Sequence, residues 1–168
     1  MLPHLDAAYA FARRLMGNAA DAEDVVQEAY LKAFAAFDQY AGGSARGWIL
    51  AIVRNAAFRA LEQSRRFAPA PYEDGLAVLD GASDPSPFNA PDAGLEAGDA
   101  RTRLEEALAR LPLIYREVLV LRELQELSYA EIAAVTGTPV GTVMSRLARA
   151  RARLVEAVAQ NGGRLREL

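Results

Sequence analysis

The chain has 168 residues, is 52% hydrophobic, and carries a net charge of −3 with no cysteine and one histidine. Without cysteine there is no disulfide framework and no thiolate metal site, and His4 has no second histidine with which to form a metal or catalytic cluster. No apolar run reaches the length of a membrane span, and the start Met1-Leu2-Pro3-His4-Leu5-Asp6 lacks the basic opening and small-residue cleavage site of a signal peptide, so a cytoplasmic location is expected.

Residues 3–16 read as a helix that ends at Gly17-Asn18. Ala22, Val25, Val26, Ala29, Ala33, Phe34 and Phe37 then recur at three- and four-residue spacing, which predicts a second helix. Its polar face carries Asp21, Asp24, Gln27, Glu28 and Lys32, with Asp21 placed to cap the first turn. Gly42-Gly43-Ser44 breaks the chain. A third helix is expected over 45–63, with Trp48, Ile49, Ile52, Val53, Ala56, Ala57, Ala60 and Leu61 as its apolar content. Nothing alternates with a period of two over a useful length, so no sheet is expected.

Charge divides the chain into three. Residues 1–67 carry a net +1, residues 68–99 carry −7 with no Lys or Arg, and residues 100–168 carry +3. Pro69, Pro71, Pro85, Pro87 and Pro91 fall in the acidic stretch and forbid a continuous helix there. Residues 68–100 therefore read as an acidic, Pro-rich linker between small helical domains at 1–67 and 101–168. A plain spacer is the simplest role, and Leu76, Val78, Leu79 and Phe88 leave room for local docking. The fold class expected is all-α.

Past the linker, helices are expected over 101–111 and 113–124, the second opened by Pro112. Ser128-Tyr129-Ala130-Glu131 is the Ser-x-x-Glu pattern of a capping box and predicts a short helix over 129–135. Gly137 supplies a turn, Thr138 can cap the next helix, and Pro139 can begin it; that helix should run to about residue 159. Short helix, glycine turn and longer helix make helix-turn-helix spacing. On the long helix Val140, Val143, Leu147, Ala150 and Leu154 cluster on one side, and Thr142, Ser145 and Arg149 point the other way. From Ile132 to Val155 there is no acid, while Arg146, Arg149, Arg151 and Arg153 supply positive charge. Arginine bonds phosphate and reads guanine with a bidentate fork, so DNA binding is favoured over an ordinary basic helix packed on an α-hairpin.

Several blocks resemble the extracytoplasmic-function group of bacterial sigma factors. Asp21-Ala22-Glu23-Asp24-Val25-Val26-Gln27-Glu28-Ala29-Tyr30-Leu31-Lys32-Ala33-Phe34 looks like the family's polymerase-binding helix, and Trp48-Ile49-Leu50-Ala51-Ile52-Val53-Arg54-Asn55 like its downstream-promoter helix. Tyr115-Arg116-Glu117-Val118-Leu119, Leu127-Ser128-Tyr129-Ala130-Glu131-Ile132-Ala133 and Pro139-Val140-Gly141-Thr142-Val143-Met144-Ser145-Arg146-Leu147 resemble the C-terminal domain.

The resemblance implies that the chain carries RNA polymerase to promoters and has no catalytic residues, metal or cofactor. Asp24, Gln27, Glu28 and Leu31 would bind core RNA polymerase. Gly43, Ser44, Trp48, Arg54 and Asn55 would meet the minus-ten strand, with Trp48 fitting a stacking surface or the core equally well. Thr142, Met144, Ser145, Arg146, Arg149 and Arg153 would meet the duplex minus-thirty-five element. It also implies that the linker threads toward the polymerase active-site channel and that an anti-sigma factor covers the polymerase-binding surface, any membrane contact being made through that partner. Met144 stands where many members have lysine, and Glu62-Gln63 where many have a basic cluster. Two other readings are a sigma-mimic adaptor that titrates an anti-sigma factor, and a simple helix-turn-helix regulator.

Overall fold

Gly17 takes a left-handed φ of +84°, and its amide bonds the Arg13 carbonyl to close α1 (Leu5–Met16). A 3-10 turn at Leu2–His4 leads into that helix. The structure is a computed structural model that describes residues 2–67 and 95–164. Residues 68–94, which hold most of the expected linker and its acidic side chains, lie outside the described residues.

The cap of α2 (Ala19–Ala35) is Asn18 rather than Asp21. Asn18 Oδ1 accepts from the Asp21 amide at 2.8 Å, and Asn18 Nδ2 donates to Asp21 Oδ2 at 2.6 Å. Both residue types cap well, and the choice falls to Asn18 because its backbone is extended, with φ −139° and ψ 158°. The helix buries Ala22, Val25, Val26, Ala29 and Ala33. Phe34 and Phe37, expected on that apolar face, are instead 66% and 55% exposed. Phe34 is rotated about 100° from Ala33, and α2 ends before Phe37, which falls in a 3-10 turn.

Helix α3 (Ala45–Phe67) runs past the expected residue 63. It packs with α1 and α2, burying Ile49, Leu50, Val53, Ala56 and Ala57. In the second half α4 (Leu95–Arg110) begins inside the stretch read as linker, because no proline stands between Pro91 and Pro112 to stop the extra turns. The helix expected over 113–124 divides into α5 (Leu113–Leu119) and a π-helical turn, Val120–Leu124, in which the Gln125 amide reaches back to the Val120 carbonyl. Then come α6 (Tyr129–Thr136) and α7 (Val140–Arg164), the latter starting one residue after the expected Pro139. No strand occurs among the described residues.

One hydrophobic cluster runs from Ala8 and Phe11 through Ile49 and Leu50 to Val118, Leu121, Val143 and Leu147, so the two halves share a core. Buried Arg116 joins them. Its guanidinium donates to the carbonyls of Leu108, Ala109 and Leu111 near the end of α4, and to those of Arg14 and Leu15 near the end of α1. A cation at the carbonyl ends of two helices is favourably placed for both dipoles. Burial pulls Arg116 down to about 10, which leaves it charged at neutral pH. Gln125 adds a second joint: it accepts from Arg46 at 2.7 Å and donates to the Ala7 carbonyl at 3.3 Å.

Candidate functional site

Three surfaces hold the residues singled out by the sequence. The first is the outer side of α2. Packing of α2 through small residues, Ala22, Ala29 and Ala33, leaves Asp24, Gln27 and Leu31 facing outward, with Leu31 65% exposed. Phe34 and Phe37 extend that face, giving an apolar stripe bordered by acid. Glu28 differs from its neighbours, for its carboxylate is paired with Lys32 and accepts from Arg59 of α3 at 3.0 Å. Both pairs are half-exposed, where an ion pair contributes only about 0–1 kcal/mol. Glu28 can therefore exchange them for another cation at little cost. Leu5, Tyr9, Val26, Gln27 and Tyr30 line a groove between α1 and α2 beside this face.

The second surface surrounds the glycine turn. Gly42 and Gly43 have φ of +92° and +95°, a region that side chains other than glycine's rarely occupy. Ser44 Oγ accepts from the Gly47 amide at 3.0 Å and caps α3. Tyr40 donates its hydroxyl to the Gly43 carbonyl at 2.6 Å, and its ring lies 5.1 Å from that of half-buried Trp48. Trp48 thus packs on the core and forms, with Tyr40, a small half-buried aromatic wall. Tyr40 was not singled out in the sequence; its signal is an aromatic residue two positions before a glycine pair. Along the same helix Asn55 is exposed, whereas Arg54 turns inward. Arg54 Nε and Nη2 donate to the two oxygens of Glu117 in α5, at 2.7 and 3.2 Å.

The third surface is the helix-turn-helix. The capping box forms: Ser128 Oγ accepts from the Glu131 amide at 3.1 Å, and Glu131 Oε2 accepts from the Ser128 amide at 2.7 Å. Those bonds hold the Glu131 carboxyl below its ordinary value. Gly137, at φ +67°, makes the turn, and the Thr138 hydroxyl meets Thr136 Oγ1 at 2.8 Å. Val143, Leu147 and Ala150 of α7 are buried, while Val140, expected beside them, is exposed at the first turn.

Facing outward on α7 are Met144, Ser145 and Arg149, with Thr142 half-buried between them. Arg149 makes no ion pair among the described residues. Arg153 lies over the Tyr115 ring at 5.0 Å, Arg151 bonds Glu123 at 2.8 Å, and Arg146 stands 3.9 Å from Glu117 Oε1. The arginines expected to meet the minus-thirty-five duplex are therefore divided. Arg149 is open, while Arg146 and Arg153 lie partly against protein. Among the described residues no group of acids and histidine could hold a metal, and no helix is long and apolar enough to cross a membrane.

Comparison with known proteins covers both halves of the chain. Sigma-70 region 2 matches residues 2–67 and Sigma-70 region 4 matches residues 101–154. The chain is 32% identical over 158 residues to the ECF RNA polymerase sigma factor SigE of Mycolicibacterium smegmatis, covering 94% of this chain and 60% of that protein. It is 36% identical over 134 residues to the ECF RNA polymerase sigma-E factor of Escherichia coli, covering 78% of this chain and 70% of the relative. Among solved structures it is similar to the sigma factor RpoE of Bartonella quintana in complex with the anti-sigma factor NepR, with a TM-score of 0.72, 28% identity, and coverage of 94% and 93%. It is also similar to CnrH in complex with the cytosolic domain of CnrY, with a TM-score of 0.65, 26% identity, and coverage of 95% and 84%. By the two sigma-70 regions in this order and by these identities, the chain belongs to the family of ECF RNA polymerase sigma factors.

Proposed function

We propose that the chain directs promoter-specific transcription initiation by binding core RNA polymerase, and that it does so by recruitment, without chemistry of its own. The observation that carries this reading is the outer face of α7, where Arg149, Ser145 and Met144 stand exposed in a stretch with no acid from Ile132 to Val155. A helix presented in this way fits a major groove, with arginine supplying phosphate or guanine contacts.

In this reading residues 1–67 bind polymerase through Asp24, Gln27, Leu31 and a re-paired Glu28, and meet the melted minus-ten strand through Gly43, Ser44, Trp48, Arg54 and Asn55. Residues 101–168 read the minus-thirty-five duplex through Thr142, Met144, Ser145, Arg146, Arg149 and Arg153. The acidic linker, 68–100, fits a basic channel built for nucleic acid by charge complementarity. An anti-sigma factor is the expected negative partner, as NepR is for the similar sigma factor RpoE of Bartonella quintana, and the place of action is the cytoplasm.

A second reading, the adaptor that titrates an anti-sigma factor and binds no DNA, draws support from the engagement of Arg54 by Glu117. Transcription by purified core polymerase on a promoter library separates the two. Defined transcripts that depend on the protein support initiation; tight capture of an anti-sigma factor with no transcript from any template supports the adaptor.

A further inference from the structure

Glu117 is fully buried, yet it faces two arginines assigned to different promoter elements. Arg54 belongs to α3, Glu117 to α5 and Arg146 to α7. The fork from Arg54 takes both carboxylate oxygens, and Arg146 Nη1 stands beside one of them. Burial pushes the Glu117 carboxyl up, while the hydrogen bond from Arg54 and the charges of Arg54 and Arg146 oppose that rise. The rest of Arg54 is occupied too. Its Nη1 lies 3.5 Å from Asn55 Oδ1, and its guanidinium carbon sits 3.9 Å over the Phe58 ring. The contacts of Arg46 with Gln125, of Gln125 with Ala7, and of Arg116 with Arg14 and Leu15 hold the same two halves together.

We infer that Glu117 is an internal stand-in for DNA, a buried carboxylate that occupies Arg54 and steadies Arg146 in the free chain, so that the strand-binding side of α3 is blocked until the two halves part. The inference rests on the reading of Arg54 as a minus-ten contact. Its physical basis is that one guanidinium fork matches carboxylate and phosphate alike but cannot close on both at once. Met144, Ser145 and Arg149 stay outward in the closed arrangement. Closure therefore withholds single-strand binding specifically, and the apparent affinity for an unpaired strand falls with the fraction of open molecules.

The test uses the full chain. Since it has no cysteine, donor and acceptor dyes can be placed on exposed positions through Asp38→Cys and Glu156→Cys, one in each half. Energy transfer then reports closure, and anisotropy with a pool of random-sequence single-stranded oligodeoxynucleotides reports strand binding. Glu117→Gln keeps the side-chain shape and removes the charge. Gln125→Ala opens the joint from a residue with no DNA role, and serves if Glu117→Gln fails to fold. Either variant should lower energy transfer and tighten strand binding by at least about fivefold, the low end of coupling between sites. Adding Arg54→Ala should abolish the gain. Unchanged transfer and unchanged affinity in the folded variants overturn the inference. Wild-type protein assayed alongside for promoter-directed transcription keeps that failure distinct, because a wild type that transcribes leaves the initiation reading standing.

Discussion

Arg54 and Glu117 lie 63 positions apart in the chain and meet through two hydrogen bonds in the core between the halves. A buried ion pair is weak evidence for stability by itself, but removing one partner strands the other's charge. Arg54→Ala should therefore destabilise the protein by about 3 kcal/mol, the low end for such a loss, because Arg146 remains near Glu117. The loss should depend on pH. Without Arg54 the remaining effect of burial raises the carboxyl further above its unfolded value. A raised folded value gives a stabilising contribution that is present below the unfolded value and lost as pH rises through the folded one. Denaturant melts should show the variant's deficit shrinking from about pH 8 to about pH 5. A deficit independent of pH would mean that Glu117 does not titrate in the core.

The outer side of α2 gives the second prediction. Asp24→Lys with Leu31→Ser should weaken core-polymerase association by at least about tenfold, or about 1.4 kcal/mol. Both side chains are exposed, so circular dichroism should be unchanged. Adding Glu28→Gln should cost little more in the fold, since its own pairs are half-exposed. Undiminished retention of polymerase by the folded double variant removes α2 as the docking face.

Gly43 tests the turn. A Cβ there meets nothing within 4 Å, so the penalty of Gly43→Ala comes from φ +95° alone. It should lower stability by roughly 1 kcal/mol and weaken binding of unpaired minus-ten DNA severalfold. Gly98→Ala, in open space on α4, is the contrast and should gain roughly 0.5–1 kcal/mol. Equal effects of the two substitutions in thermal melts would argue that the Gly43 backbone can relax.

Arg149→Ala removes an exposed side chain and no core contact, and alanine favours the helix. Loss of a phosphate contact should reduce the log–log salt slope of promoter binding by about one. Loss of a base contact should instead cost about 1–3 kcal/mol at one position of the site. Titrations at several salt concentrations on a set of single-base promoter variants tell these apart. Identical binding by wild type and variant at every salt and site removes Arg149 from the interface.

Glu126 follows the π-helical turn with a φ of +55°, the one non-glycine residue in the left-handed region among those described. Glu126→Gly should relieve that strain and raise the melting temperature by roughly 2–4 °C, as about 1 kcal/mol does for a chain of this size. A fall in melting temperature would show that the Glu126 side chain makes a stabilising contact of its own.

The elements themselves were legible because their signals act within a few residues. Three- and four-residue spacing marked α2, Gly17 and Gly137 stopped helices where left-handed backbone was needed, and Ser128 found Glu131 three residues away. The acid-free stretch of α7 was likewise readable, since charge along one helix needs no knowledge of its neighbours. Less was legible where two local signals compete, as at Asn18 and Asp21, because backbone conformation chose between equivalent caps.

What only the tertiary structure decided is which side chains are left free. Phe34 and Phe37 share the apolar spacing of α2 yet stand exposed, since Phe34 is turned about 100° away from buried Ala33 and α2 ends before Phe37. Arg54 and Arg149 read alike as DNA-binding arginines, and packing separates them: Arg54 closes on Glu117, while Arg149 faces solvent. Helical period is a property of one segment, so the sequence determines it alone. The pairing of Arg54 with Glu117, or of Arg46 with Gln125 across 79 positions, depends on how two helices cross, and that is set by the shared core rather than by any nearby residue.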